Sequence, residues 1–161
     1  MQHVNTKEVV IRLAKLEEID SLLRFEQAII RAERPFDRSL KQDPISYYDL
    51  GQIITSPIGD VIVAQYRDRL VASGSVKIVE AKPYYRHDQY AHLGFMYVEP
   101  QFRGLGLNQR IINKALEWCK EKKITEVRLD VYSDNESAIK AYEKVGFNSH
   151  LITMRLDTNE K

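Results

Sequence analysis

Apolar residues recur along this chain in two periods, and the changes between them predict the order of secondary structure. Residues 9–13 form a short apolar run typical of a strand, and residues 16–32 carry apolar side chains at helical spacing. Two β-rich runs, 60–66 and 70–79, are separated by three polar residues, which predicts an antiparallel hairpin. The intervening residues 45–54 favour a short helix, although their pattern is ambiguous.

The second half alternates strands with helices. Residues 91–98 are apolar and aromatic and predict a strand, whereas residues 111–119 carry apolar side chains three and four positions apart, which predicts a helix. Polar and apolar residues alternate over 126–132, which indicates a half-buried strand. Because a helix separates this strand from the one at 91–98, the two strands should run parallel.

The last part of the chain predicts one more helix and one more strand. Ser133 lies three residues before Glu136, which favours a capping box, and Gly146 marks the expected helix end. Residues 151–156 predict a final strand. The full pattern predicts an α+β fold in three layers, with a mixed, mostly antiparallel sheet and helices on both faces.

Composition limits the class of protein. The 161 residues suit one domain, predicted to span 1–161, since no repeat, linker or low-complexity tract divides them. A net charge of +1 offers no basic field for nucleic acid, and no apolar run approaches the roughly 18 residues of a membrane span. Residues 1–8 lack the apolar core of a secretory signal, so we expect a cytoplasmic protein.

A glycine-containing turn between the strand at 91–98 and the following helix is the main candidate for chemistry. Free N–H groups at a helix start, together with the helix dipole, favour a bound anion, so this turn predicts a phosphate site. A dinucleotide fingerprint fails because Gln109 stands at its third glycine position, and the Gly-Lys-Ser/Thr of a P-loop is absent.

Two motifs resemble the GCN5-related N-acetyltransferase (GNAT) family. The first is Gln101-x-x-Gly104-x-Gly106, which resembles the family's acetyl-CoA-binding pattern Gln/Arg-x-x-Gly-x-Gly/Ala. The second is Asn-x-x-Ala-x-x-x-Tyr-x-x-x-Gly-Phe, whose five marked positions are Asn135, Ala138, Tyr142, Gly146 and Phe147. The motif-level match covers roughly residues 90–150, and the first half matches only as an order of strands and helices.

The resemblance implies a GNAT-type fold in which acetyl-CoA lies in a V-shaped split between two parallel central strands. By family pattern, backbone groups at 96–98 pair with the pantetheine and the thioester, and amides from 103 to 108 hold the pyrophosphate. Asn108 replaces a commonly small residue, so we expect an altered contact with binding retained. The implied cofactor-binding set is Met96, Tyr97, Val98, Gln101, Phe102, Arg103, Gly104, Leu105, Gly106, Leu107, Asn108, Asn135, Ala138 and Tyr142, with no metal.

Acetyl transfer to an amine needs a neutral amine, donors for the oxyanion and a proton for the leaving thiolate. The resemblance gives Tyr142 as the general acid, and the alternative is that Tyr142 only packs on the core. For the base, His92 is a candidate because histidine is the side chain whose reference pKa lies near neutral pH, and the alternative is a structural strand histidine. Glu80 and a relay through water are the other candidates.

The expected activity is direct transfer from acetyl-CoA to a primary amine of a small molecule, peptide or protein. The only cysteine, Cys119, lies among apolar helix residues, which disfavours covalent transfer and excludes an intramolecular disulfide. The alternative is a CoA-binding sensor or scaffold without transfer activity, and a homodimer is possible. The family's acceptor-shaping region here holds five carboxylates, which can attract a cationic amine or simply face solvent: Glu26, Glu33, Asp37, Asp43 and Asp49.

Overall fold

A computed structural model describes residues 3–160 of the chain. The strands are β1 (Val9–Leu13), β2 (Gly59–Tyr66), β3 (Arg69–Glu80), β4 (Gln89–Val98) and β5 (Val127–Leu129). The α-helices are α1 (Ile19–Glu33), α2 (Leu50–Thr55), α3 (Leu107–Glu121) and α4 (Glu136–Val145). Short 3₁₀ turns lie at Thr6–Glu8, Leu16–Glu18, Arg34–Phe36, Pro100–Phe102 and Thr158–Glu160.

The sheet has the strand order β1-β2-β3-β4-β5. Its first three pairings are antiparallel, including the predicted β2–β3 hairpin, and β4 pairs with β5 in parallel as expected from the helix between them. The parallel ladder joins only 91–93 of β4 to β5, whereas β4 continues to Val98. The two strands therefore part after Leu93, which opens the split expected between them.

Both faces of the sheet are covered, which confirms the α+β fold class with three layers. One apolar cluster joins α3 and the inner side of α4 to the sheet, and the other joins α1 and α2 to the opposite face. Residues 61–64 of β2 are each fully buried because the sheet is covered on both sides at this strand. This explains why β2 reads as a continuous apolar run in the sequence.

A bulge interrupts β4 just after the strand parts from β5. Ser73 pairs with Tyr97 and Ser75 with Gly94, so two β4 residues stand opposite a single β3 residue, Gly74. Phe95, one of those two, has a φ of 54° and packs in the α1–α2 cluster, whereas Leu93 packs in the α3 cluster. The bulge therefore turns the Phe95 side chain to the other face of the sheet.

Two predictions near α4 need correction. Ser133 does not cap α4; the helix begins at Glu136 and the Asn135 side chain accepts a hydrogen bond from the Ala138 N–H at 3.3 Å. Ser and Asn are comparable caps, so the pattern alone did not separate two candidates so close together. The strand predicted over 126–132 is also shorter, because β5 ends at Leu129 where it diverges from β4.

Two other segments differ from the expected elements. The helix predicted over 45–54 begins only at Leu50, where the Asp49 side chain caps it by accepting from the Gln52 N–H at 3.1 Å. Residues 151–156 form no strand, although their composition favours one. Strand composition describes side chains that fit a half-buried sheet, and it does not supply the neighbouring strand that a ladder needs.

Candidate functional site

The glycine turn follows β4 and leads directly into α3. Gly104 and Gly106 have φ values of 75° and 76°, and a Cβ at either position would meet nothing within 4 Å. Glycine is therefore favoured here by the left-handed backbone and not by lack of space. The open side of both glycines allows a ligand to approach the main chain closely.

The amides of this turn are free of backbone partners. The first hydrogen bond of α3 runs from the Arg110 N–H to the Gly106 carbonyl at 3.1 Å. Within residues 3–160, no N–H from 104 to 109 donates to a backbone acceptor. A row of unpaired donors at a helix start, with the positive end of the helix dipole behind it, is suited to a phosphate group.

Side chains of the turn hold it in place more than they face a ligand. The Phe102 side chain is buried, with its ring 5.3 Å from that of Tyr66, and Leu107 is also buried. Arg103 is exposed, and its Nε donates to the Val98 carbonyl at 3.1 Å, which keeps the guanidinium at the mouth of the split. Phe102 and Leu107 can therefore offer a ligand only their backbone, whereas Arg103 also offers charge.

The end of β4 borders the split. Tyr97 packs against Phe25 of α1, with ring centroids 4.8 Å apart, and Met96 packs toward α3. β5 does not pair with this part of β4, so the strand edge from 96 to 98 faces the split. An extended ligand can add to such an edge through main-chain hydrogen bonds.

The other residues of its motif position Tyr142 on the inner side of α4. Asn135 caps the start of α4, and Gly146, at a φ of 117°, ends the helix. The Phe147 ring then packs edge-on against Tyr142 at 6.1 Å. Burial, followed by the proximity of Tyr48 and Glu33, raises the pKa of Tyr142 to about 12, so its hydroxyl keeps its proton at neutral pH.

A group of acids and tyrosines, here called the acidic tyrosine cluster, lies on the α1–α2 side of the sheet. Its members are Glu26, Glu33, Asp37, Tyr47, Tyr48 and Tyr132. The fully buried Glu26 accepts, at Oε2, the N–H groups of Tyr47 at 3.1 Å and Tyr48 at 2.9 Å. The Tyr48 hydroxyl accepts the Phe95 N–H at 3.1 Å, so this cluster reaches the β4 bulge directly.

The outer end of the acidic tyrosine cluster is centred on Asp37. The Tyr132 hydroxyl donates to Asp37 Oδ2 at 3.2 Å, and Arg155 Nη1 donates to Oδ1 at 3.1 Å. Hydrogen bonds from Ser39 first, and then from Arg155, hold the pKa of Asp37 well below its usual range. Burial raises the pKa of Glu33. This side of the site thus combines a firmly ionised carboxylate with phenol hydroxyls.

The two candidate bases, His92 and Glu80, lie away from the β4 bulge. His92 Nε2 lies 3.1 Å from Asp130 Oδ2, and the three residues from His92 to Phe95 correspond to roughly 10 Å of strand. Glu80 pairs with Gln89 at the far end of β4, roughly 20 Å of strand from Phe95. The structure therefore brings neither His92 nor Glu80 next to the bulge.

Other sequence candidates have structural roles. Asp43 pairs with Arg34 at 2.6 Å, and Asp49 is the cap of α2. Cys119 is buried, and burial raises the pKa of its thiol to about 11, which makes it a poor nucleophile. Sequence reasoning missed Tyr48 and Tyr132; the only signal for Tyr48 was an aromatic pair inside the ambiguous segment 45–54.

Among residues 3–160, no three His, Cys, Asp or Glu side chains gather in a way that could hold a metal ion. None of the helices in that range has the length and apolar character needed to cross a membrane.

Comparison with known proteins relates this chain to acetyltransferases. A family model described as "Acetyltransferase (GNAT) family" matches residues 23–147. An uncharacterized N-acetyltransferase of Methanocaldococcus jannaschii is 37% identical over 59 residues, which cover 37% of this chain and 26% of that protein. Glucosamine 6-phosphate N-acetyltransferase of Trypanosoma brucei brucei is 33% identical over 99 residues, which cover 60% of this chain and 63% of the relative. The chain thus matches less than two thirds of either relative's length.

A solved structure extends the likeness to the whole fold. The crystal structure of a predicted acetyltransferase with acetyl-CoA from Clostridium acetobutylicum superposes with a TM-score of 0.73 and 16% identity. The superposition covers 95% of this chain and 98% of that one. At this identity the likeness shows the fold alone.

Proposed function

This chain belongs to the acetyltransferase (GNAT) family, and from that premise we propose that it transfers the acetyl group of acetyl-CoA directly to a primary amine. The family match confirms the resemblance drawn from the two sequence motifs and, at the level of the family, the N-acetyltransferase class. The single observation that carries the proposal is the row of unpaired amides from 104 to 109 beside the open edge of β4.

Acetyl-CoA fits this arrangement in two parts. Its pyrophosphate suits the amides of the glycine turn, where Arg103 adds positive charge. Its pantetheine arm is extended and carries amides, so it suits the unpaired edge of β4 at 96–98. Asn135 and Ala138 contribute indirectly in this proposal, since they form the capped first turn of α4.

The reaction then follows from the groups around the bulge. The amine nitrogen attacks the thioester carbonyl carbon, the C–S bond breaks, and the amine loses one proton. We assign the proton delivered to the departing sulfur to the Tyr142 hydroxyl, whose raised pKa keeps it protonated until the thiolate forms. Tyr142 recovers a proton from solvent, so protons balance over the cycle.

The acceptor approaches from the acidic tyrosine cluster. Asp37, whose pKa is lowered, places negative charge on this side, and cationic amines are drawn toward such a surface. The name of the trypanosomal relative describes an amino sugar as its acceptor, which supports an amine here. His92 remains our candidate base, and its position along β4 requires that water carry the proton from the amine to its ring.

Thiol release tests the proposal. The protein is incubated with acetyl-CoA and a panel of small amines, peptides and lysine-containing proteins, and free CoA thiol is measured. We expect turnover with at least one amine, and mass spectrometry should find the acetyl group on that amine. Micromolar binding of CoA without turnover on any acceptor would instead favour a sensor or scaffold. Failure to bind CoA would overturn both functions.

A further inference from the structure

The bulge in β4 has a hydrogen-bond partner from outside the sheet. Gly74 of β3 stands opposite two β4 residues, Phe95 and Met96. The Phe95 N–H donates to the Tyr48 hydroxyl at 3.1 Å, so its acceptor is a side chain and not a neighbouring strand. Tyr48 lies in the irregular segment between α1 and α2. This segment therefore reaches the sheet at the one place where the β3–β4 ladder is interrupted.

Tyr48 is held in place at its backbone, its ring and its hydroxyl. Its N–H donates to the fully buried Glu26 at 2.9 Å. Its ring packs edge-on against that of Phe95, with the centroids 5.5 Å apart. The hydroxyl also lies beside Gly94, since a Cβ built on that glycine would stand 3.6 Å from it. The position of the hydroxyl is thus set before any ligand arrives.

The Tyr48 hydroxyl has a hydrogen that it does not use within the protein. A phenol oxygen can accept one hydrogen bond and donate another. Among residues 3–160, the hydroxyl accepts from the Phe95 N–H, and no acceptor receives its own hydrogen. Burial raises the pKa of Tyr48, so this hydrogen stays on the oxygen at neutral pH. The bond from the Phe95 N–H also polarises the hydroxyl, which makes it a stronger donor.

The unused hydrogen lies where the reacting end of acetyl-CoA is expected under the proposed function. The glycine turn follows the end of β4, and β4 parts from β5 after Leu93. An extended arm that begins at the turn and follows the edge at 96–98 therefore ends where the two strands meet. Gly94 and Phe95 are the β4 residues at that place.

Tyr142, the group assigned to the departing sulfur, is a neighbour of Tyr48. Burial first, and then the proximity of Tyr48, raises the pKa of Tyr142 to about 12, so the two hydroxyls lie near each other. In a thioester the sulfur and the carbonyl oxygen are bonded to the same carbon. Donors to these two atoms must therefore lie side by side, as two neighbouring phenols do.

We propose that the Tyr48 hydroxyl donates a hydrogen bond to the thioester carbonyl oxygen of acetyl-CoA and to the oxyanion that forms from it. This inference rests on the proposed function. When the amine attacks, the electron pair of the C=O double bond moves to the oxygen, and the Tyr48 O–H stabilises that charge without giving up its proton. The pair returns to re-form the carbonyl as the C–S bond breaks. Because main-chain groups at 96–98 are expected to pair with the same thioester, Tyr48 is one donor among several.

The carbonyl stretch of bound acetyl-CoA tests this contact without any turnover. Difference infrared spectra with acetyl-CoA and its carbonyl-¹³C form isolate this band in the absence of an amine. A hydrogen bond to a carbonyl lowers its stretching frequency, so Tyr48→Phe should move the band to higher wavenumber than in the parent protein. Incorporation of 3-fluorotyrosine at position 48 supplies a more acidic hydroxyl and should move it lower. Tyr84→Phe is the control, because Tyr84 is 77% exposed, and it should leave the band unchanged.

The outcomes separate this inference from the proposed function. An identical band in the parent and in both proteins altered at Tyr48 would overturn the inference, whereas calorimetric binding of acetyl-CoA would still support the proposed function. A lower band in Tyr48→Phe would also overturn it, since the hydroxyl would then be keeping the Phe95 N–H from the carbonyl. Failure of the parent protein to bind acetyl-CoA would overturn both. The fluorinated protein keeps the hydroxyl, so it decides the matter even if circular dichroism shows that Tyr48→Phe is unfolded.

Discussion

The glycine turn and the acidic tyrosine cluster border the same split but are built in opposite ways. The turn comes from one continuous stretch, 100–109, and offers mainly backbone amides. The cluster collects side chains from α1, from the 37–48 region and from Tyr132, and is tied to Arg155 near the end of the chain. The turn side of the site is therefore formed by main-chain groups of one short stretch. The cluster side is formed by side chains that lie far apart in the sequence.

This contrast explains how a family can keep one cosubstrate and vary its acceptor. Backbone amides bind phosphate whatever side chains surround them, so glycine spacing alone would preserve the proposed cofactor side. Side chains brought together by tertiary packing can change one at a time without disturbing that spacing. Substitutions on the two sides should therefore separate acetyl-CoA binding from acceptor use and catalysis.

The largest effect is expected from Tyr142→Phe. Because Tyr142 is assigned to protonate the leaving thiolate, its loss should lower kcat by roughly 100-fold or more while acetyl-CoA affinity changes little. Since its pKa is about 12, Tyr142 should not cause any loss of activity between pH 7 and 10. Steady-state kinetics and calorimetry measure both quantities, and Tyr84→Phe in an exposed loop is the control. A decrease in kcat of less than threefold would indicate that Tyr142 only packs on the core.

The next largest effect is expected from Gly106→Ala. An alanine at a φ of 76° costs about 1–2 kcal/mol, and its methyl group points into the space through which a phosphate reaches the amides. We expect acetyl-CoA to bind about tenfold more weakly, with the KM for the amine changed little. Gly51→Ala in α2 is the matched control, because its Cβ would make only ordinary contacts at 3.9 Å. Equal acetyl-CoA affinities for the two variants would show that the glycine turn does not bind acetyl-CoA.

The fold was largely predictable because the apolar pattern of most helices and strands follows from the faces that they bury. The bounds of β1, the β2–β3 hairpin and the parallel pairing of β4 with β5 all follow from periodicity and connection rules. Periodicity gave wrong predictions where the presence of a neighbouring strand decides whether a strand forms. Residues 151–156 have strand composition but no ladder, and β5 is shortened by the split. The bulge at Phe95 was also invisible, since it depends on Gly74 facing two residues.

The candidate site could be predicted from the sequence where it consists of main-chain groups. The glycine spacing predicts the turn and the second motif predicts Tyr142 as candidate site residues, since both motifs lie within short, fixed stretches of sequence. The acidic tyrosine cluster could be approached only as a set of carboxylates, of which Asp43 and Asp49 have other partners. Tyr48 became visible only through its 3.1 Å contact with the Phe95 N–H, 47 residues away in sequence.

A moderate effect is expected from Tyr48→Phe. Removing this hydroxyl leaves the Phe95 N–H without its acceptor, which costs about 1–3 kcal/mol of stability and loosens the bulge. We expect kcat/KM for the amine to fall about five- to tenfold, with acetyl-CoA affinity retained. Tyr84→Phe is the control, because the Tyr84 side chain is 77% exposed and lies outside the acidic tyrosine cluster. If Tyr48→Phe and its control have the same melting temperature and the same kcat/KM for the amine, the role proposed for Tyr48 is contradicted.

The smallest effect is expected from Asp37→Asn. The Asp37 side chain is only 13% exposed, and its charge is already partly offset by Arg155, which is 64% exposed. The KM for a cationic amine should therefore rise only about two- to threefold at low ionic strength, and the difference should fade in high salt. Because hydrogen bonds from Ser39 and Arg155 lower the pKa of Asp37, its contribution to stability is complete above the unfolded-state pKa of about 3.9. That contribution is lost as the pH falls further, so the melting temperatures of the variant and the parent should converge in acid. A neutral amine measured in parallel should show no KM change, and an equal loss for both amines would mean that Asp37 shapes the pocket without attracting charge.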